Sequence, residues 1–562
     1  MYECPGCGGN LKFDISRQQL LCEYCGSQAD PYSFQKEQDA GESGGADGAY
    51  EVRIFTCPQC GGEIISEDTT AATFCSFCGG ATILDSRISR ERRPEIIIPF
   101  TRTKEDCRAS YGRLLRRAVF APKELKDETL IAKFRGIYMP YWVYSFEKRE
   151  QITFSGSRTH REGDYKVTDH YRLKCRVEEE YRGLAYDASS AFSDSLSSAI
   201  APFDLKKGKP FTPSFLSGFY ADTSDVEKYV YFPEAEELVV RDAWKRLSRD
   251  AVCRKYHAGQ AENRHEFRNA LRPSDSTAEL AMLPVWFLAY RNGDRVSYAV
   301  VNGQTGKAAA DLPVDGKRYL AASLLLAVPL FFLLNLFLTV TPGKLLLTAV
   351  LLAVLCILIL NGQLSRILDR ESGEDDRGLA SVRPVHGNGR ERDGWMGRKP
   401  GRRIRSPWKG SLGKVAIMLL LFYGTAFLPA VVLVGLEWIG FRGKRQAVIM
   451  ILGILMFAGV SLAFSALGRS GGRGQLRRKP LGGGRLKEKW PVLIKPFGGI
   501  VLSAVILLVN PVSDLFYYIG AFVCMGTVLW AILDIFRQHN MLTTRKLPQL
   551  NRRGGDESEA EG

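Results

Sequence analysis

The chain has 562 residues, room for roughly three or four domains, and carries 76 Lys and Arg against 61 Asp and Glu. The basic excess is uneven: residues 1–318 hold 45 cations against 46 anions, and residues 319–562 hold 31 against 15. An excess confined to the apolar half argues against a basic nucleic-acid-binding domain and fits basic loops between membrane segments.

The chain opens with a duplicated cysteine unit. Cys4, Cys7, Cys22 and Cys25 are repeated by Cys57, Cys60, Cys75 and Cys78 at a constant offset of 53, and Gly follows the last cysteine of every pair. Four thiolates so spaced bind Zn²⁺ tetrahedrally, and about thirty residues cannot bury enough apolar surface to fold without such a staple. Two structural zinc ions in closed all-cysteine sites are expected, with an iron site or a redox dithiol as the alternatives. The reading is two small all-β zinc ribbons, 1–30 and 53–82, joined by a polar, Gly-rich linker, 31–52. The five remaining cysteines (Cys107, Cys175, Cys253, Cys356, Cys524) are scattered and read as isolated core thiols. A cysteine-rich start leaves no room for a secretory signal, which puts this half in a reducing cytosol. Residues 1–30 carry a net −2 and residues 50–82 a net −3, a balance that repels polyanions, so nucleic acid is not expected as a partner.

Residues 94–315 read as an α+β domain with an antiparallel sheet. Thr103 and Asp106 form a capping-box pattern ahead of a helix whose Cys107, Tyr111, Leu114, Leu115 and Ala118 share one face. Tyr171, Leu173, Cys175 and Val177 alternate as in a half-buried strand, and the run from Pro233 reads as a second helix. Asn292-Gly293 and Asn302-Gly303 mark turns of a meander. MPYWVYSF from Met139 is echoed by LPVWFLAY from Leu283, and Trp142 and Trp286 read as core anchors.

Six apolar segments follow, at 319–340, 344–361, 415–438, 447–467, 497–512 and 515–537, and four have a spanning length of about 20 residues. They group as transmembrane hairpins at 319–361, 415–467 and 497–537, the last being two helices or one helix with a re-entrant stub. Basic loops at 362–414 and 468–496 and the tail 538–562 are then cytosolic, as is the N-terminus, in a multi-pass membrane protein. FRGKRQ at 441–446 is the one loop that dissents.

No motif for catalysis emerges. NGQTGK, from Asn302, lacks the spacing and the Ser or Thr of a phosphate loop, and the six histidines form no ligand pair. The apolar segments contain almost no charge, which disfavours a transporter.

EIIIPF (95–100), GIYMPYWVYSF (136–146), YDASSAFSDSLSSAIAPFD (186–204), FTPSFLSGFYAD (211–222), LPVWFLAY (283–290) and VNGQTGKAAADLP (301–313) follow the tandem cysteine units in order. Together they resemble the bacterial membrane-anchored tandem zinc-ribbon proteins of phage-shock-like membrane-stress operons, whose relatives are often mislabelled as primosomal replication-restart helicases. The resemblance covers roughly residues 1–340. It implies a non-enzymatic scaffold working beside a second membrane protein, an SPFH-type protein and a phage-shock-protein-A-like protein. The chain departs from the simplest members by four further apolar segments and two long basic loops. The expected function is a membrane scaffold whose zinc ribbons and α+β domain recruit protein partners. The alternative is a membrane-tethered nucleic-acid-binding regulator.

Overall fold

The computed structural model describes residues 2–34, 49–66, 75–80, 85–257, 268–293, 295–337, 341–371, 375–382 and 498–546. They fall into two compact units: Met1–Ala322 with Ile367–Arg390 and His539–Gly562, and Ser323–Arg366 with Glu391–Gln538.

The first unit is built on two sheets. β1 (Leu11–Asp14), β2 (Gln19–Cys22) and β3 (Gln28–Ala29) form a small antiparallel sheet. The other sheet has 12 strands: β4 (Ala49–Thr56), β5 (Glu63–Ile65), β6 (Asp85–Arg92), β7 (Ile96–Ile97), β8 (Arg135–Glu162), β9 (Tyr165–Asp187), β10 (Lys209–Pro210), β11 (Tyr220–Ala221), β12 (Asp275–Asn292), β13 (Arg295–Asn302), β14 (Ala308–Ala310) and β15 (Arg545–Lys546). β12 is its spine, pairing β13 on one side and β8 on the other. The echoed phrases are direct neighbours there, Met139 opposite Leu283.

Because side chains alternate across a strand, β12 feeds two cores. Met282, Trp286 and Leu288 pack with Phe13, Phe100, Tyr138 and the Cys107, Tyr111 and Leu115 face of α1 (Lys104–Arg117). Leu283, Val285, Phe287 and Ala289 pack on the other face with Phe77, Phe192 and the Leu196 and Ile200 side of α2 (Asp194–Ile200). The capping box of α1 is present, Thr103 accepting from the Asp106 N–H and Asp106 from the Thr103 N–H. Both tryptophans are buried with their indole N–H satisfied, Trp142 by the Val226 carbonyl and Trp286 by the Arg102 carbonyl. Beyond Glu147, where pairing with β12 stops, β8 and β9 continue as a two-stranded arm. Val177, Leu173 and Cys175 line the arm's inner face against α3 (Phe232–Leu247), as their alternation requires.

In the second unit, Ala349, Ala353, Cys356 and Leu360 of α5 (Pro342–Glu371) pack against Cys524, Val528 and Ala531 of α7 (Asp514–Leu542). Gly520 admits Ile506 of α6 (Gly498–Val509) and Leu346 at distances that a Cβ would close. α4 (Gly316–Phe337) includes residues 319–337 of the first apolar segment.

Two parts of the expected fold class are corrected. Among the described residues two helices, Pro342–Leu364 and Asp514–Leu542, are long and apolar enough to cross a membrane, and no six-helix transmembrane region is evident. The segment 497–512 yields only the short Gly498–Val509, about 18 Å at 1.5 Å per residue, because Asn510 turns to a positive φ of 47° ahead of Pro511. The segments 415–438 and 447–467, the loop 468–496 and most of the loop 362–414 lie outside the described residues. The second cysteine unit is also not a small separate ribbon. Its strands β4 and β5 are members of the large sheet, β5 pairing with β11.

Candidate metal centres

Each Cys-x-x-Cys pair folds into the same knuckle for the same local reason. The first cysteine donates its N–H to the carbonyl five residues on, as Cys4 to Gly9 (2.7 Å), Cys22 to Ser27 (2.9 Å), Cys57 to Gly62 (2.9 Å) and Cys75 to Gly80 (2.9 Å). The glycine after the second cysteine donates back to the first cysteine's carbonyl. That return bond needs a left-handed residue, and Gly8, Gly26, Gly61 and Gly79 have φ of 71°, 73°, 67° and 70°.

The knuckles bring all eight sequence-assigned cysteines into two groups, Cys4, Cys7, Cys22, Cys25 and Cys57, Cys60, Cys75, Cys78, with the sulfurs of each group within 4.8 Å of one another. Sγ separations are 3.5 Å for Cys4–Cys25, 3.4 Å for Cys7–Cys22, 3.9 Å for Cys57–Cys78 and 3.7 Å for Cys60–Cys75. A tetrahedron with Zn–S bonds of about 2.3 Å has edges of about 3.8 Å, so separations of 3.4–3.9 Å are compatible with a zinc ion in each set. Local donors favour the thiolates of Cys25 and Cys4 in the first centre. The Ser27 hydroxyl, 3.0 Å from the Cys25 sulfur, and the Ser27 N–H hold that thiol down at about 6, and the Gly6 N–H lowers Cys4.

The two centres differ in their surroundings. In the first, Cys7 and Cys25 are exposed; in the second, all four cysteines are buried. The first ribbon is anchored along its strands: the Phe13 N–H donates to the Ser217 carbonyl (3.0 Å), Gln18 donates to the Phe100 carbonyl (2.7 Å), and Phe13 meets the Phe215 ring edge-on. Its knuckle face is left open. Tyr24, the residue between Glu23 and Cys25, lies across Gly9, whose Cβ would meet the ring at 2.6 Å, and is 82% exposed. Phe77 occupies the matching place in the second centre and lies across Gly62 with the same 2.6 Å approach, yet is 1% exposed. It is covered by Phe287 and by Tyr298, whose hydroxyl donates to the Phe77 carbonyl (2.8 Å), while Arg291 lies against Gly79 of the same knuckle and donates to Gln59 (3.0 Å).

Sequence reasoning gave no role to Tyr24 and Phe77, although aligning the repeat sets one over the other. It also missed a buried polar cluster encoded in YDASSAFSDS. Asp187, Asp194 and Asp376 influence one another there, and burial, followed by the Asp194 carboxylate, raises Asp376 to about 7. Tyr231 donates to Asp194, and Arg545 to Ser193. Among the described residues, no acidic group gathers at ligand distance as the cysteines do.

Fold and centres together define a class: an α+β protein bearing two four-cysteine centres of zinc-ribbon type and carrying apolar helices of membrane-spanning length. In particular, the chain is 27% identical over 318 residues to a Bacillus subtilis (strain 168) protein described as the uncharacterized protein YdjG, a match covering 56% of this chain and 90% of that relative. No family model and no solved structure matches the chain.

Proposed function

We propose that this chain is a non-enzymatic, membrane-attached scaffold that recruits a protein partner through the knuckle face of its first zinc ribbon. The observation that carries this reading is the inequality of Tyr24 and Phe77 at matched positions: one knuckle face is covered by the chain's own sheet, the other is open. An exposed aromatic on a metal-stiffened turn is the kind of rigid anchor that dominates binding energy at protein interfaces. The partner surface would resemble what covers Phe77, two aromatic rings beside an arginine on paired strands. Zinc in both centres supplies rigidity and no open coordination position. The resemblance to membrane-stress scaffolds supports the same reading and points to a phage-shock-protein-A-like or SPFH-type partner, or to a second membrane protein.

Membrane attachment is supported by the surfaces of the two long helices. Only 39% and 28% of their most apolar stretches are buried, and Leu347, Leu352, Phe522, Leu529 and Leu533 face outward. Apolar exposure on that scale is costly in water and favourable in lipid. In this reading both chain ends are cytosolic, as the positive-inside rule favours for the basic loops.

The test is crosslinking and pull-down from intact membranes, comparing the full-length protein with Tyr24→Asp. Deleting residues 1–90 would remove β4, β5 and β6 from the sheet, so a point change is the cleaner probe. Loss of specific partners with two zinc ions retained supports recruitment through this face; an unchanged partner set contradicts it.

A further inference from the structure

The near-zero charge of residues 1–318 conceals a segregated face on the β8–β9 arm. Cross-strand register sets the odd-numbered residues of β8 on the same face as the even-numbered residues of β9, for example Thr153 with Lys174 and Ser155 with Arg172. Between Gln151 and Arg161 on one strand, and Lys166 and Arg176 on the other, this face carries Arg161, Lys166, Arg172, Lys174 and Arg176 and no carboxylate. The intervening positions are Gln, Ser, Thr or His, and no apolar side chain occurs. The one carboxylate within these bounds, Asp169, lies on the opposite face, where it pairs with His160; on the basic face the next carboxylate is Glu178, just beyond Arg176. Arg176 is paired with Glu178 (2.7 Å), whereas Lys166, Arg172 and Lys174 have no carboxylate partner among the described residues. Arg161 and Lys166 stand directly opposite each other, a like-charge pair that destabilises an isolated hairpin.

We propose that this face of the arm binds double-stranded DNA through its phosphates. The absence of any aromatic or aliphatic anchor is wrong for a protein hot spot and for a bilayer-inserting face. Arg172, Lys174 and Arg176 at every second residue, about 7 Å apart, with Lys166 and Arg161 nearer the tip and a row of hydroxyls beside them, supply the donors that phosphate oxygens take. Width favours a duplex groove. The arm is two strands about 4.8 Å apart, its β8 edge held at Ser157 by the Tyr256 carbonyl (2.7 Å) and its β9 edge paired by no further strand among the described residues, and the major groove, about 12 Å wide, admits a two-stranded ribbon. A phosphate near the tip also relieves the Arg161–Lys166 repulsion. This site is separate from both cysteine centres and independent of the recruitment reading.

The experiment uses full-length protein in neutral detergent and a fluorescent duplex of random sequence, titrated by anisotropy at several salt concentrations. Binding is expected at about 50 mM salt, with affinity falling steeply as salt rises. The triple variant Lys166→Ser, Arg172→Ser, Lys174→Ser should weaken binding at least about tenfold and reduce the log–log salt slope by about 2–3, with zinc content and circular dichroism unchanged. Because other basic segments remain in that variant, the change in slope reports the arm itself. Lys166→Arg with Lys174→Arg should bind as the parent does. No duplex binding at about 50 mM salt, an unchanged slope in the triple variant, or binding to phosphatidylglycerol bicelles with none to the duplex would overturn the proposal.

Discussion

The first ribbon keeps its strands in a three-stranded sheet of its own and packs on the domain by its side, whereas the second lends its strands to the 12-stranded sheet and turns its knuckles inward. The two units share cysteine spacing, knuckle hydrogen bonds, left-handed glycines and the aromatic-on-glycine contact. A metal-binding motif therefore fixes the local turn and leaves the use of its outer face to the residues around it. In one copy Phe287, Tyr298 and Arg291 take that face; in the other it is free for something else.

The strongest way to break this contrast is to remove each centre in turn. Cys57→Ser with Cys60→Ser should abolish cooperative unfolding of the first unit, since zinc binding on the order of 10 kcal/mol is lost inside its sheet. Cys4→Ser with Cys7→Ser should lose one zinc per chain and leave a weakened but still cooperative transition, read by metal analysis and calorimetry. If the two double variants melt alike, the contrast is wrong. Next in size, Phe77→Ala should cost about 3–5 kcal/mol, while Tyr24→Ala should stay within about 0.5 kcal/mol.

A pH effect sharpens the comparison from the side of the second centre, where Leu379, three residues from Asp376, packs against the Phe77 core. With Asp376 raised to about 7, the folded protein holds a proton that the unfolded chain releases near pH 4. That contribution to stability is complete below about pH 4 and falls by about 1.4 kcal/mol per unit as pH rises to about 7. Asp376→Asn should flatten this slope in denaturant titrations. The smallest effect is kinetic: a chelator should strip the centre with exposed Cys7 and Cys25 first, giving two phases of zinc release rather than one.

The grouping of the eight cysteines was legible because a ligand set at fixed spacing is a local property, as are the Thr103–Asp106 cap and the Asn292-Gly293 turn. Docking of the second ribbon was not, because it depends on Phe287 and Tyr298, more than two hundred residues away from Phe77 in sequence. The basic face of the arm escaped notice because net charge averages over both faces of a strand pair, and only register separates them. The transmembrane count went wrong where apolar runs stood in for helix length. Asn510 and Pro511 end Gly498–Val509 after too few turns, whereas Pro342–Glu371 continues past its apolar run as a polar helix.

The central claim, that one knuckle face is built in and the other is offered, is tested most directly by placing a photo-crosslinking phenylalanine analogue at position 24 or at position 77 in living cells. Illumination is expected to give intermolecular adducts from position 24, and from position 77 only crosslinks within the chain, to the region of Phe287 and Tyr298. Intermolecular adducts from position 77, or none from position 24, would contradict it.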